Sequence, residues 1–218
     1  MSKLNAVQDM LSVHAHYAQR GLGLAQAALA GSPRFVRWAH YPHNDVDDVA
    51  HGSRFFYHAH EPDEMLPNEH GHFHVFARTG NQRAKHNARD AHRYAHRYAH
   101  LIGVSIDARG TPLRLFTTNQ WVTGEDWAHA SDVSRVLQRF QLQTAGRLAP
   151  VARWLNGLVQ FYAESIQRLL NERDARLQKH AQRHRQTLAQ AHADRRLHIT
   201  SQQHLPHHWQ HMQQESQP

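Results

Sequence analysis

Two segments, Tyr57-His58-Ala59-His60 and Glu69-His70-Gly71-His72-Phe73-His74-Val75-Phe76, decide how this chain is read. Successive side chains of a β-strand point to opposite faces. Phe56, His58 and His60 therefore share one face of the first segment, with Phe55, Tyr57 and Ala59 on the other. In the second, His70, His72, His74 and Phe76 share a face, and Gly71, Phe73, Val75 and Ala77 form its reverse. Paired as a hairpin, the segments make a plate of imidazoles backed by an apolar face. Imidazole is the commonest protein metal ligand, so the plate reads as a metal site.

The connection Glu61-Pro62-Asp63-Glu64-Met65-Leu66-Pro67-Asn68 sets the register. If it closes the hairpin symmetrically, His60 faces His70, His58 faces His72 and Phe56 faces His74. Opposed residues then sit about 4.5–5.5 Å apart and same-face neighbours about 6.5–7 Å apart. His58, His60, His70 and His72 form a rectangle whose rings can converge on one ion. His74, about 13 Å along the strand from His70, is the register-dependent fifth candidate. A slip of two residues pairs His58 with His74 and leaves His70 out. Glu69 precedes the histidine face by one residue and ranks first as ligand, orienter or acid/base catalyst. A ligating histidine commonly hands its second N–H to a carboxylate. Tyr57 has the opposite parity and reads as core.

The chain has 218 residues and no cysteine. Disulfides, thiolate nucleophiles, Fe–S clusters and Cys-type zinc sites are excluded. A metal held by nitrogen and oxygen is a transition metal such as Fe, Cu or Zn. Lys and Arg exceed Asp and Glu by 7, 23 histidines add latent positive charge, and the pI is near 10.2. That balance favours anionic partners. Nucleic acid ranks lower, because Arg173, Arg176, Lys179, Arg183, Arg185, Arg195 and Arg196 accompany no recognisable motif. No apolar run approaches the ~18 residues of a membrane span, and polar residues interrupt any leader-like N-terminal core. The expectation is a cytoplasmic protein that does not meet a membrane.

Outward from the hairpin, residues 4–29 have helical periodicity, ended by Gly31-Ser32-Pro33. His14 lies on the apolar stripe and reads as a hydrogen-bonded core histidine. Residues 34–39 are a candidate extra strand. The loop-like stretch 40–48 offers His40, His43 and several carboxylates that could complete a metal site. Strands are expected at 54–60, 70–78, 101–106 and 112–122, the last two joined at Asp107-Ala108-Arg109-Gly110. In the last strand Thr117 and Asn119 share the parity of Trp121 and would line a pocket if it neighboured the plate. Between the strands at 70–78 and 101–106 runs a repeat, Ala91-His92-Arg93-Tyr94 then Ala95-His96-Arg97-Tyr98, in which spacing of four stacks His92, His96 and His100 on one helical face. It reads as a solvated surface. A helix is expected from Ser131 or Asp132 to Leu142, and a long amphipathic one from Pro150 to Leu177. The fold class is α+β: a central antiparallel sheet of four to five strands flanked by an N-terminal helix and long C-terminal helices. Residues 1–178 form one metal-binding domain; 179–218, rich in His, Gln and Arg, form a tail, partly helical and then disordered.

The strings His40-Tyr41-Pro42, Tyr57-His58-Ala59-His60, Glu69-His70-Gly71-His72-Phe73-His74-Val75-Phe76 and Leu115-Phe116-Thr117-Thr118-Asn119-Gln120-Trp121-Val122-Thr123-Gly124-Glu125 resemble an uncharacterised bacterial family with a domain-of-unknown-function label. The resemblance spans roughly residues 5–175 and implies no activity. Three functions remain open at this level. The first is a metal-dependent enzyme acting on a small molecule, with redox or oxygen-using chemistry favoured over hydrolysis. The second is non-catalytic metal storage or sensing, to which the repeat and tail add capacity. The third is nucleic-acid binding. The metal, the substrate and the oligomeric state are not specified by the sequence.

Overall fold

The computed structural model describes residues 2–79 and 98–205. Its centre is an antiparallel sheet whose six strands follow chain order. These are β1 (Tyr41–Asp48), β2 (Ser53–His58), β3 (Gly71–Arg78), β4 (Tyr98–Ile106), β5 (Pro112–Thr118) and β6 (Ile199–His204). The helices are α1 (Lys3–Ala18), α2 (Leu24–Ala28), α3 (Gln120–Thr123), α4 (Ala130–Leu137), α5 (Ala149–Phe161), α6 (Ala163–His184) and α7 (Leu188–Ala193). The sheet has six strands, not four to five.

The two extra strands come from unexpected places. Residues 34–39 are not a strand; β1 begins at Tyr41, in the stretch read as a loop. It is an edge strand, and its register shifts between Tyr41 and Val46. β6 comes from the segment read as a tail, and it pairs with β5 from Arg114↔His204 to Thr118↔Ile199. Residues 179–205 thus belong to the same folded unit as the sheet. The repeat at 91–97 and the chain beyond residue 205 lie outside the described residues. The repeat's last part does not: Tyr98, Ala99 and His100 are the buried start of β4, not a helix.

One face of the sheet is apolar, as the hairpin pattern requires. Phe55, Tyr57, Phe73, Val75, Val104, Ile106 and Leu115 join Met10 and Val13 of α1, Trp154, Leu155 and Leu158 of α5 and Ile166 and Leu170 of α6 in one buried cluster. Full burial of an aliphatic or aromatic side chain contributes about 1.5–3 kcal/mol, so this layer carries most of the stability. The expected N-terminal helix breaks at Gly21, whose φ of +65° favours glycine. The expected C-terminal helix breaks at Tyr162. Past Leu177 the α6 stripe does not run out into solvent. Leu177 and Ala181 pack on Ala191 and Leu197. His14 is half-buried at the edge of the core and accepts the indole N–H of Trp154 at 3.1 Å. Burial lowers its pKa to about 4.

Candidate metal centre

The hairpin register is the symmetric one: Phe56↔His74 and His58↔His72 are paired across β2 and β3. His58, His72 and His74 consequently rise from the face opposite the helices. Their nearest ring nitrogens all lie within 4.8 Å of one another, a group that could hold a metal ion. His58 Nε2 and His72 Nε2 are 2.7 Å apart. Between two neutral imidazoles at that distance one nitrogen donates and the other accepts.

Glu69 decides which. Its side chain is fully buried, and its Oε1 lies 2.8 Å from His72 Nδ1. A carboxylate accepts there, so His72 carries its proton on Nδ1 and presents a lone pair at Nε2. Burial opposes ionisation of Glu69. The hydrogen bond from His72, the Leu66 N–H and Arg114 outweigh it and hold the carboxyl below its usual range. On the other side His74 Nδ1 lies 2.9 Å from His100 Nε2. His100 Nδ1 is buried with no hydrogen-bond partner among the described residues.

Burial keeps the rings of His58, His74 and His100 neutral. Burial drives His58 far below the usual histidine range, and the neighbouring His72 and His60 add to the shift. Burial does the same for His74, reinforced by His100 and His72. Burial lowers His100 to about 3, with the charge of Arg173 next. Neutral imidazole is the metal-binding form. Phe56 and Phe116 pack against His74 at ring-centroid distances of 5.1 and 5.7 Å. The Phe116 ring reaches there because β4 has a glycine beneath it. A Cβ on Gly103 would stand 2.4 Å from Phe116 Cζ.

His60 and His70 part from the expected rectangle. His60 lies beyond β2, with its centroid 4.9 Å from His72, and stacks on Trp38 at 4.0 Å. It borders the cluster. His70 lies before β3 and turns to the opposite face, where Tyr57 Oη is 2.6 Å from its Nδ1. Gly71 permits this, since a Cβ there would stand 2.5 Å from both Tyr57 Oη and the His58 carbonyl. Of the loop candidates, His40 stacks on Phe56 at 3.7 Å and is held by Asp45 at 2.8 Å. His43 is exposed beside Asn44. Thr117 bonds Thr200 and Ser201, and Asn119 donates to the Ala191 carbonyl. It is the other parity of β5, Arg114 and Phe116, that meets the plate.

Three plate residues went unread: His100, His198 and Arg114. His100 was hidden by a bulge. His74 faces Gly103 and Phe76 faces His100, so two residues of β3 span three of β4. Counting by twos from Gly103 would place His100 on the wrong face. His198 lies just before β6, its ring parallel to that of His60 at 6.3 Å. Arg114 carried a signal in the alternation Leu113-Arg114-Leu115-Phe116.

Among the described residues no helix is long and apolar enough to cross a membrane. No curated protein and no solved structure matches the chain. A family model described as a domain of unknown function (DUF6969) matches residues 4–205, nearly the whole chain and well past the 175 expected, and the chain belongs to that family.

Proposed function

We propose that this chain is a transition-metal protein whose ion is held by His58, His72 and His74 and serves a redox or oxygen-using reaction on a small molecule. The convergence of three buried imidazoles within 4.8 Å carries this reading. Fe, Cu and Zn all suit imidazole donors with a carboxylate at hand. Such an ion, when bound, supplies Lewis acidity or an electron-transfer centre. The chain supplies the rest. Glu69 fixes the tautomer and orientation of His72 and is the nearest group able to take or return a proton. His100 fixes the ring of His74. Phe56 and Phe116 give the site apolar walls.

A rigid sheet with hydrogen-bonded ligands suits a preorganised centre. Metal storage or sensing without catalysis is the second reading, favoured by the further imidazoles of His60, His100 and His198 around the cluster. Metal analysis of protein purified without an affinity tag tests both. The proposal expects about one ion per chain, lost in His58→Ala and retained when residues 206–218 are removed. Several ions per chain, most of them lost with those residues, would favour storage. No ion in the wild type would remove both.

A further inference from the structure

Arg114 is a buried guanidinium beside the cluster; each of its nitrogens has a partner, but three of the four hydrogen bonds are long, at 3.3–3.5 Å. It projects from β5 on the plate side, facing Ser105, which faces His72. Two strand spacings, about 10 Å, separate its backbone from that of His72. Its side chain lies over the Phe116 ring at 4.8 Å, and Nη2 comes to 3.5 Å from Glu69 Oε2. The remaining contacts are Nε and Nη2 to Ser105 Oγ at 3.4 and 3.3 Å, and Nη1 to Gln202 Oε1 at 3.1 Å. A guanidinium offers five donors, and N–H···O distances cluster near 2.9–3.0 Å. Glu69, the carboxylate at hand, accepts closer hydrogen bonds from His72 Nδ1–H at 2.8 Å and Leu66 N–H at 3.1 Å.

Arg196 shows what a satisfied fork looks like in this chain. Asp194 receives its Nε at 2.9 Å and its Nη2 at 2.5 Å. Arg114 is only 8% exposed and has no such paired carboxylate among the described residues. Burying a charge on long hydrogen bonds is costly, and a planar carboxylate closes the fork with two parallel bonds. A dianion fits less well, because Glu69 already offsets much of the local positive charge. The rings of His60 and His198 lie parallel at 6.3 Å, with Trp38 stacked on His60 at 4.0 Å and Trp121 on His198 at 5.2 Å. Trp38 is half exposed and gives an organic body an aromatic surface at the edge of the cluster.

We infer that Arg114 anchors the carboxylate of the substrate brought to the His58–His72–His74 centre, which makes that substrate a small carboxylic acid. The inference rests on the metal reading for what happens next to the anchor, but not for the anchor itself. Full-length protein loaded with Co(II) is titrated with acetate and benzoate, with phosphate as control, by visible absorption and calorimetry. Both carboxylates saturate the wild type and phosphate does not. Arg114→Lys keeps a charge beside Glu69 but loses the fork; it binds benzoate at least about tenfold more weakly with Co(II) content unchanged. Ser105→Ala releases two guanidinium contacts and keeps or improves benzoate binding, which covers the case in which Arg114→Lys does not fold. Equal benzoate affinity in wild type and Arg114→Lys, a tenfold loss in Ser105→Ala, or a preference for phosphate overturns the anchor. Failure of the wild type to take up Co(II) strikes the metal reading instead, and benzoate calorimetry on the metal-free pair then decides Arg114 alone.

Discussion

His70 and His72 stand two residues apart and end on opposite sides of the sheet. Gly71 between them has room only for hydrogen where Tyr57 Oη passes, and the hydroxyl draws His70 to the helix side. His72 is held on the plate side by Glu69. The two substitutions should therefore separate cleanly. His72→Ala removes a ligand and should abolish stoichiometric metal binding, whereas His70→Ala should leave it unchanged; elemental analysis of the purified variants reads both. Glu69→Gln is subtler, since the amide keeps the shape and an acceptor oxygen but loses the charge that polarises the Nδ1–H. Loss of such an outer partner lowers metal affinity roughly 10–100-fold. A competition titration against a chelator of known affinity measures it, with circular dichroism to confirm the fold.

Elements that follow a simple period were legible, and those that break it were not. The β2–β3 hairpin, its register and its apolar reverse face could be read because alternation survives unbroken from Phe55 to Ala59 and from Gly71 to Ala77. β1 could not, because an edge strand needs few apolar residues and its bulge erases the alternation. β6, Ile-Thr-Ser-Gln-Gln-His, has the composition of a disordered tail. It is strand because β5 needs a neighbour and because Ser201 Oγ reaches the Leu169 carbonyl of α6 at 2.7 Å. A chain ending at residue 205 should keep its thermal midpoint; one ending at 178 lacks α7 and β6, bares the edge of β5, and should aggregate or lose its cooperative transition in a melting scan. Gly103 is a second test at this scale. Gly103→Ala forces the Phe116 ring off the strand and away from His72 and His74. Overpacking of this kind costs roughly 1–3 kcal/mol, read as a lower urea midpoint at unchanged slope.

For the molecule as a whole, the buried histidines set its response to pH. Burial holds His14 and His60 at about 4 and His100 at about 3, and pushes His58 and His74 down as well. In the unfolded chain each titrates near 6.5. Below about 6.5 the unfolded chain binds protons that the folded one does not, so metal-free protein should lose stability as pH falls toward 4. The slope is about 1.4 kcal/mol per pH unit for each such histidine. Glu125 opposes the trend, since burial raises its carboxyl to about 7 and it takes up a proton in the folded state first. One group does not offset five. Urea unfolding at pH 7.5, 6.5, 5.5 and 4.5 should show a steadily falling midpoint. The same depression distinguishes a built centre from a collection of exposed histidines. Protons displace metal from an ordinary imidazole near pH 6.5, but burial keeps His58 and His74 unprotonated well below that. Protein loaded at pH 7.5 and dialysed stepwise should therefore shed any ions held by exposed histidines around pH 6 and keep the last one to about pH 5. Release of all metal in one step near pH 6.5 would mean that the ion sits elsewhere than on His58, His72 and His74.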